Sequence, residues 1–590
     1  MNRLSLAPSD LVVIVGYFVL VIWIGLYFRK RMSAPEDYFA GGHKVPWWLA
    51  GVSHYMSSFS AFSFVAYAQM GYTYGWVAVT LFWVTVPACI LGGLLFARAW
   101  RRANVITPVE FLERRFNVYM RQVFAWAGLP MKIFEDALKI FATSLFLALG
   151  VGISIPWSIV ACGVVTVAYT VFGGLWALVV TDYVQFVMKA LAILLLFPLA
   201  LWHAGGITKA FKGLPPHFFR ITNGPYNWVY LAGFMVLIII SYNGSWALAQ
   251  KYYSVRSVPE ASKAAYLSAV LNFIGAPIMI LPAVIGRHFL PDLVAQHRTA
   301  DTYALLVLRL LPAGMVGIIV AALLSATMAT VSSDFNAIAS VLTQDVYHRL
   351  FRPQASNRHL VRVGRVTTLI LGALVVGCSL WIAYSGDQSL FRLMVVVAGV
   401  FMAPTFLPLL AALIVRKLNW QGALTGFILG LGSGFAMLGV KAWYLPHITA
   451  AWVRSGFDGI TILINTSVTI LGMCIGTVVF RSSATEKESA REFFRVREEP
   501  LAVALEASAE PPYRLPIAKM TVAVGCLLGV AGLIAGSASA HVIDLSVAII
   551  LIGLGIVMYR KAVYRKTADI AVAEQGELAA DQRDEDENSG

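Results

Sequence analysis

Charged residues are scarce in this chain of 590 residues. Asp, Glu, Lys and Arg make up 13% of the sequence, whereas a soluble protein carries roughly 25%. Hydrophobic residues make up 59%, and the mean hydropathy is +0.74. Apolar runs of about 20 residues, long enough to cross a bilayer as helices, recur from Leu11 to Met558. The shortage of charge excludes a soluble protein and predicts an all-α polytopic membrane protein.

Cysteines and enzyme motifs are also scarce. The five cysteines lie in apolar runs without paired spacing, which favours packing residues over disulfides or metal ligands. The sequence has no Ser/His/Asp constellation, no metal-ligand cluster and no phosphate-binding loop. It therefore predicts neither an enzyme nor an organic cofactor. The net charge of +14 does not indicate a nucleic-acid partner, because the basic residues gather beside the ends of the apolar runs.

The apolar runs predict about fifteen membrane spans. Their ranges are 9–29, 46–70, 76–100, 123–150, 154–176, 178–204, 226–248, 265–287, 303–345, 361–386, 389–415, 421–440, 458–480, 516–537 and 541–559. Basic clusters, one of which begins at Lys251, lie at 29–31, 98–115, 251–263, 349–365, 416–417, 481–491 and 560–566. With fifteen spans and an outside N-terminus, every cluster falls in the cytoplasm, as the positive-inside rule requires. The sequence therefore predicts a plasma (inner) membrane protein with a cytoplasmic C-terminus.

The spans divide the chain into five regions. We expect an extra helix and linker at 1–45, five-helix sets at 46–204 and 226–417, further membrane helices at 418–566, and a disordered acidic tail at 567–590. Because each set has an odd number of helices, the two sets enter the membrane from opposite sides. This parity is typical of transporters built from inverted repeats.

Two of the predicted spans are unusually polar. The second contains Ser57, Ser58, Ser60 and Ser63, and the ninth contains "MATVSSDFN" at 328–336. Hydroxyls and carboxylates are costly in lipid unless they face a cavity or bind a polar ligand. Transporters place discontinuous or polar helices near the midplane, where ions and substrates bind. Both spans are therefore predicted to line a binding site.

The fourth span carries Lys132, Glu135, Asp136 and Lys139. Lys132–Glu135, Lys132–Asp136 and Glu135–Lys139 have the three- or four-residue spacing of helical ion pairs. Charge inside a membrane is rare and usually marks a transport pathway. Structural pairing and contact with a substrate are both open for these residues.

Five segments of the chain resemble the sodium:solute symporter family, which includes sodium-coupled sugar, proline, sialate and iodide carriers. They are "DYFAGGHKVPWWLAG" (37–51), "TPVEFLERRFN" (107–117), "AYTVFGGLWALVVTDYVQ" (168–185), "SVPEASKAA" (257–265) and "MATVSSDFNAIASVLTQDVY" (328–347). The resemblance implies a LeuT-type core of two inverted five-helix repeats. It also implies symport by alternating access, with Na⁺ as the coupling ion and no other cofactor.

The resemblance implies a first sodium site between the second and ninth spans. Its ligands would be the carbonyls of Met56, Phe59 and Ala326 and the groups at Ala329 and Thr330. The family usually has two hydroxyl residues at the last two positions, whereas this chain has one. Thr330 is therefore expected to be the only side-chain ligand of this site.

Some family members carry a second sodium site, and the matching residues here are Asp182, Ser332 and Ser333. The alternatives are that the hydroxyls bond to carbonyls of their own helix, and that Asp182 caps a helix or lies in a loop. Asp334 departs from the family pattern. It either pairs with a lysine or adds charge to the sodium pathway.

The expected partners are sodium, the bilayer and a small polar solute, with a sugar, polyol or sugar acid favoured. The candidate solute contacts are Ser60, Ser63, Lys132, Glu135, Asn243, Ser245 and Gln250. One alternative is coupling to protons through Asp182 or Asp334, and another is a permease for amino acids or carboxylates. A channel or sensor is less favoured, because the acidic tail has no signalling domain.

Overall fold

The computed structural model describes residues 8–29, 35–296, 298–311, 315–385, 390–498, 514–534, 541–561 and 563. Within these residues every named secondary-structure element is a helix, which confirms the all-α prediction. The acidic tail predicted at 567–590 lies outside the described residues.

Ten α-helices precede residue 204 in the described chain. They are α1 (Pro8–Arg29), α2 (Pro35–Ala40), α3 (Trp47–Ser57), α4 (Ala61–Tyr74), α5 (Val77–Trp83), α6 (Thr85–Leu91), α7 (Ala97–Ala103), α8 (Phe111–Arg115), α9 (Val118–Val151) and α10 (Ile155–His203). The side chain of Asn117 starts α9 by accepting a hydrogen bond from the Met120 N–H at 3.0 Å. Gly174 bends α10, because its φ of 55° suits glycine and a Cβ there would meet Tyr38 at 2.8 Å.

The next eight α-helices lead to residue 414. They are α11 (Ile207–Phe211), α12 (Trp228–Gly244), α13 (Trp246–Tyr253), α14 (Val258–Ile285), α15 (Thr302–Leu310), α16 (Val316–Ser340), α17 (Asn357–Ser385) and α18 (Leu390–Ile414). A π-helix over Val341–Phe351 continues α16. The prediction of one span over 303–345 is wrong, since Leu311 is extended and separates the short helix α15 from α16.

Five further helices complete the described chain. They are α19 (Trp420–Tyr444), α20 (Ala451–Val479), α21 (Ala484–Glu498), α22 (Arg514–Ile534) and α23 (His541–Lys561). Small residues let α20 approach its neighbours closely. A Cβ on Gly233 of α12 would lie 2.4 Å from the carbonyl oxygen of Gly459 in α20.

Two membrane helices of the described chain are broken, and one of them is a span that is unusually polar in sequence. The first break separates α3 from α4, where Ser60 is extended. The second separates α12 from α13, which meet at an angle of 51° beside Ser245. The polar stretch at 328–336 instead lies within the continuous helix α16. Its polar residues are therefore presented by an intact helix to the first break.

Eleven helices of the described chain are long and apolar enough to cross a membrane, or twelve if α12 and α13 form one span. The three other predicted spans correspond to the broken pair α3 and α4, to the charged helix α9, and to the part of α10 before Gly174. Breakage, charge and shortness set these three apart from plain apolar spans. The count of fifteen stays a prediction.

Candidate sodium and solute site

The carbonyl end of α3 faces Thr330 in the middle of α16. Thr330 Oγ1 lies 3.3 Å from Met56 O, 3.1 Å from Phe59 O and 3.0 Å from Ala326 O. A hydroxyl has one proton to donate, so it satisfies one of these carbonyls at a time. We call these three carbonyls and the Thr330 hydroxyl the oxygen cradle. The oxygen atoms of the cradle keep lone pairs that are not used in hydrogen bonds, and oxygens of this kind are the ligands that hard cations prefer.

The break between α3 and α4 is fastened to α16 on both sides. Because the chain leaves the helix here, the carbonyls of Met56 and Phe59 turn toward Thr330. The helix resumes at Ala61, whose N–H donates to Thr327 Oγ1 at 3.0 Å. One turn of α16 therefore contacts the carbonyl end of the break through Thr330 and its amide end through Thr327.

Ala329 contributes no side-chain oxygen to the cradle. It is fully buried, and its carbonyl accepts a hydrogen bond from Ser332 Oγ at 3.2 Å. Ser332 thus bonds to its own helix, which is the alternative that the sequence left open. The cradle has the single hydroxyl that the sequence predicted.

Asp182 and Ser333 lie on either side of an ammonium group. Lys251 Nζ is 3.9 Å from Asp182 Oδ2 and donates to Ser333 Oγ at 3.3 Å. Asp182 is fully buried in the interior of α10, so it is neither a helix cap nor a loop residue. The structure therefore brings two of the three predicted second-site residues together, with a lysine between them.

The assignment of Lys251 to a cytoplasmic basic cluster is wrong. Its side chain has no exposed surface, and every residue of α13 is buried. The break at Ser245 redirects the chain, so that α13 runs through the buried interior of the helix bundle. Sequence hydropathy does not distinguish a buried lysine in a short helix from one that ends a span.

The charged residues of α9 form a network with Asp334 of α16. Asp334 Oδ1 lies 3.1 Å from Lys132 Nζ, and Asp334 Oδ2 lies 2.9 Å from Lys139 Nζ. Glu135 also pairs with both lysines, at 2.9 and 3.1 Å. Asp136 pairs with Lys139 at 3.0 Å, rather than with Lys132 as the spacing suggested. Pairing with lysine is therefore what Asp334 does.

The oxygen cradle and the charged network border one cavity. Thr330, Asp334, Lys132, Glu135 and Lys139 all line it. Its serine lining is Ser57, Ser58, Ser60, Ser63, Ser241 and Ser245. Its aromatic lining is Phe62, Tyr67, Phe82, Phe134, Phe234 and Tyr242. Hydroxyls for hydrogen bonding and rings for stacking thus lie beside the oxygen cradle.

Two of the seven candidate solute contacts lie outside this cavity. The Asn243 amide donates to Ala88 O at 3.2 Å and to Ile239 O at 2.8 Å, and so packs α12 against α6. The Gln250 amide donates to Phe39 O at 2.6 Å. Both amides hold neighbouring segments together, whereas the five other candidates line the cavity.

Comparison with known proteins identifies the family. A model of the sodium:solute symporter family matches residues 38–430, about two thirds of the chain. The chain belongs to the sodium:solute symporter family. This symporter is therefore a sodium-coupled secondary transporter of a small molecule and not an enzyme.

Named relatives of this symporter handle different solutes. It is 25% identical over 474 residues to the sodium/sialic acid symporter NanT of Aliivibrio fischeri, covering 78% of this chain and 90% of the relative. It is also 25% identical over 458 residues to a sodium/glucose cotransporter of Vibrio parahaemolyticus, covering 72% and 84%.

A solved structure shows the same fold. It is that of a Na⁺-coupled sialic acid symporter in a substrate-bound outward-open state, with a TM-score of 0.67 and 22% identity. The match covers 80% of this chain and 98% of that chain.

Sequence reasoning did not place Ser53 and Ser57 beside Asp182 and Ser333. Ser53 Oγ donates to Asp182 Oδ2, and Ser57 Oγ donates to Ser333 Oγ at 2.9 Å. Their positions in the polar second span were visible in the sequence. Their partners were not, because both hydrogen bonds join residues more than a hundred positions apart.

Proposed function

We propose that this symporter carries a neutral polyhydroxylated solute, a monosaccharide or polyol, into the cell with sodium by alternating access. The observation that carries the proposal is the meeting of the oxygen cradle and the solute cavity at Thr330. An ion and a solute bound on the two sides of one residue are close enough to stabilise the same conformation.

The charges of the cavity favour a neutral solute. Among the described residues that line it, Lys132 and Lys139 are the bases. Each ammonium is already held by Glu135 and Asp334. An anionic solute would have to displace a buried carboxylate, which costs several kcal/mol. The serine hydroxyls and aromatic rings instead suit a ligand with a ring and many hydroxyls.

The proposed sodium ligands are the oxygen cradle itself, with the Ala329 carbonyl as the further predicted group. Sodium would join the break between α3 and α4 to α16. Met56 and Phe59 would bind it from the break, and Ala326 and Thr330 would bind it from α16. An ion that favours the conformation in which these groups meet shifts the equilibrium, whereas an ion bound equally in all states shifts nothing. Each sodium moving down the membrane potential supplies about 2.3 kcal/mol per 100 mV.

The proposed core is the pair of inverted five-helix repeats at 46–204 and 226–417, within fifteen spans and with an outside N-terminus. The two breaks support it, since each lies in the first span of its five-helix set. Broken helices in corresponding positions of two halves are typical of transporters with inverted repeats.

Uptake into proteoliposomes tests the proposed solute. We would compare labelled glucose, myo-inositol, sialic acid and proline, each with an inward sodium gradient and with potassium replacing sodium. Sodium-dependent uptake of glucose or myo-inositol, competed by related neutral sugars, is the expected result. Uptake of sialic acid or proline alone would reject the neutral solute. Uptake that persists without sodium and follows an inward proton gradient would support proton coupling instead.

A further inference from the structure

Lys251 occupies the centre of a small polar site that is closed to solvent. Its ammonium lies between Asp182 of α10 and Ser333 of α16. Two serines of α3 complete the site, since Ser53 donates to Asp182 and Ser57 donates to Ser333. The side chains of Lys251 and Asp182 have no exposed surface. Four helices thus meet around one positive charge.

The oxygens around this ammonium are those that a second sodium ion would need. Asp182 would supply a carboxylate and Ser333 a hydroxyl, and these are two of the three residues at which the sequence resembles a second sodium site. The third residue, Ser332, bonds to Ala329 instead. Asp182 Oδ2 already accepts a hydrogen bond from Ser53, and Ser333 Oγ accepts from Ser57 and from the ammonium.

The charge of the site is already balanced. Asp182 is the carboxylate within 4.0 Å of Lys251 in the described chain, and together they make a buried pair without net charge. A sodium ion bound to Asp182 would share that single negative charge with an ammonium a few ångströms away. Repulsion between two cations is strong where water is absent. One cation at a time is therefore the arrangement that this site allows.

We propose that the Lys251 ammonium takes the place of a second sodium ion between Asp182 and Ser333, so that this transporter binds one sodium ion. The inference rests on the proposed oxygen cradle as the site of that one ion. Lys251 then determines ion stoichiometry. It gives the site the positive charge that links α10, α13 and α16 without drawing on the sodium gradient.

Binding of ²²Na⁺ to the purified full-length protein tests the proposal without knowledge of the solute. Equilibrium binding at constant ionic strength, balanced with choline chloride, gives the number of ions per protein. The wild-type protein and Lys251→Arg are expected to bind one. Lys251→Met is expected to bind two, because Asp182 loses its internal cation. Lys251→Met/Asp182→Asn should return to one.

Matched variants separate this inference from the assignment of the oxygen cradle. Lys441, which pairs with Asp458 between α19 and α20, provides a control lysine, and Lys441→Met should still bind one ion. Thr330→Ala should weaken the affinity of the otherwise wild-type protein for its one sodium ion at least tenfold. The double variant Lys251→Met/Thr330→Ala should still bind one sodium ion tightly, beside Asp182. Unchanged binding in Thr330→Ala would reject the cradle assignment and leave the count for Lys251→Met as a separate result.

Two results would overturn the proposal. One is a wild-type protein that binds two sodium ions, which needs no variant at all. The other is Lys251→Met that folds and still binds one. If Lys251→Met is too unstable for binding measurements, the effect of sodium on its melting temperature tests the proposal instead. Sodium chloride must raise that temperature more than potassium chloride does, and by more than in the wild type, or the proposal is wrong.

Discussion

Thr330 is the residue at which the proposed ion ligands and the solute cavity meet. Its hydroxyl contacts three carbonyls, and its side chain also borders the cavity. Since Ala329 supplies no hydroxyl, Thr330 carries the one side-chain oxygen of the oxygen cradle. Substitutions that remove or add a hydroxyl at these two positions therefore give the sharpest information about the ion.

Thr330→Ala is expected to raise the sodium concentration for half-maximal uptake at least tenfold, while Thr330→Ser keeps it within a few-fold. Loss of a hydrogen-bonding group in a buried polar site costs about 1–3 kcal/mol, and 1.4 kcal/mol corresponds to a factor of ten. Sodium titrations of uptake measure the change. Ala329→Ser adds a hydroxyl at the neighbouring position, and it should lower the sodium concentration for half-maximal uptake. Equal sodium dependence in all three variants would contradict the cradle.

Asp334 holds two lysines of another helix, so Asp334→Asn is expected to destabilise the protein strongly. Removal of one partner from a buried ion pair costs about 3–5 kcal/mol, and here Lys132 and Lys139 lose the carboxylate that joins both of them to α16 and keep their partners on α9. Thermal unfolding in detergent measures the loss. Glu492→Gln is the control, since the pair between Glu492 and Arg495 is exposed and worth about 0–1 kcal/mol. Similar melting temperatures for both variants would mean that Asp334 has no structural role.

At the scale of elements, an ion-pair network joins α8 to the π-helix that continues α16. Glu113 of α8 accepts from Arg349 at 2.6 Å and from Arg121 at 2.7 Å. These hydrogen bonds, above all that from Arg349, hold the pKa of the Glu113 carboxyl below its usual value. The network therefore links the start of α9 with the helix that carries the oxygen cradle.

The lowered pKa predicts how this link depends on pH. A carboxyl whose pKa is lowered by folding stabilises the protein above its unfolded pKa, about 4.3 for Glu, and this contribution is lost as the pH falls through the folded value. The difference in melting temperature between wild type and Glu113→Gln should be greatest near neutral pH and shrink below about pH 4. High salt should reduce it, because Arg349 is half exposed. A difference that is constant with pH would contradict the role of the charge.

For the whole molecule, hydropathy alone predicted an all-α membrane protein, because the need to bury backbone groups in lipid leaves long apolar helices as a strong signal. The residues of the oxygen cradle, predicted from resemblance, come within 3.3 Å of Thr330. Sequence did not predict where the second helix break lies, nor that Lys251 is buried. Both depend on the direction in which α13 runs after Ser245, which tertiary packing decides.

The break between α3 and α4 has a consequence for the transport cycle. Thr330 contacts its carbonyl end, and Thr327, which also lies 2.6 Å from Thr143 of α9, contacts its amide end. The two half-helices are therefore both held by one four-residue segment of α16, from Thr327 to Thr330. Any opening that separates α4 from α3 must either carry α16 along or exchange the hydrogen bonds at Thr327 and Thr330 for others. An ion in the oxygen cradle would oppose the exchange of these hydrogen bonds, so that α16 would have to move together with the half-helices.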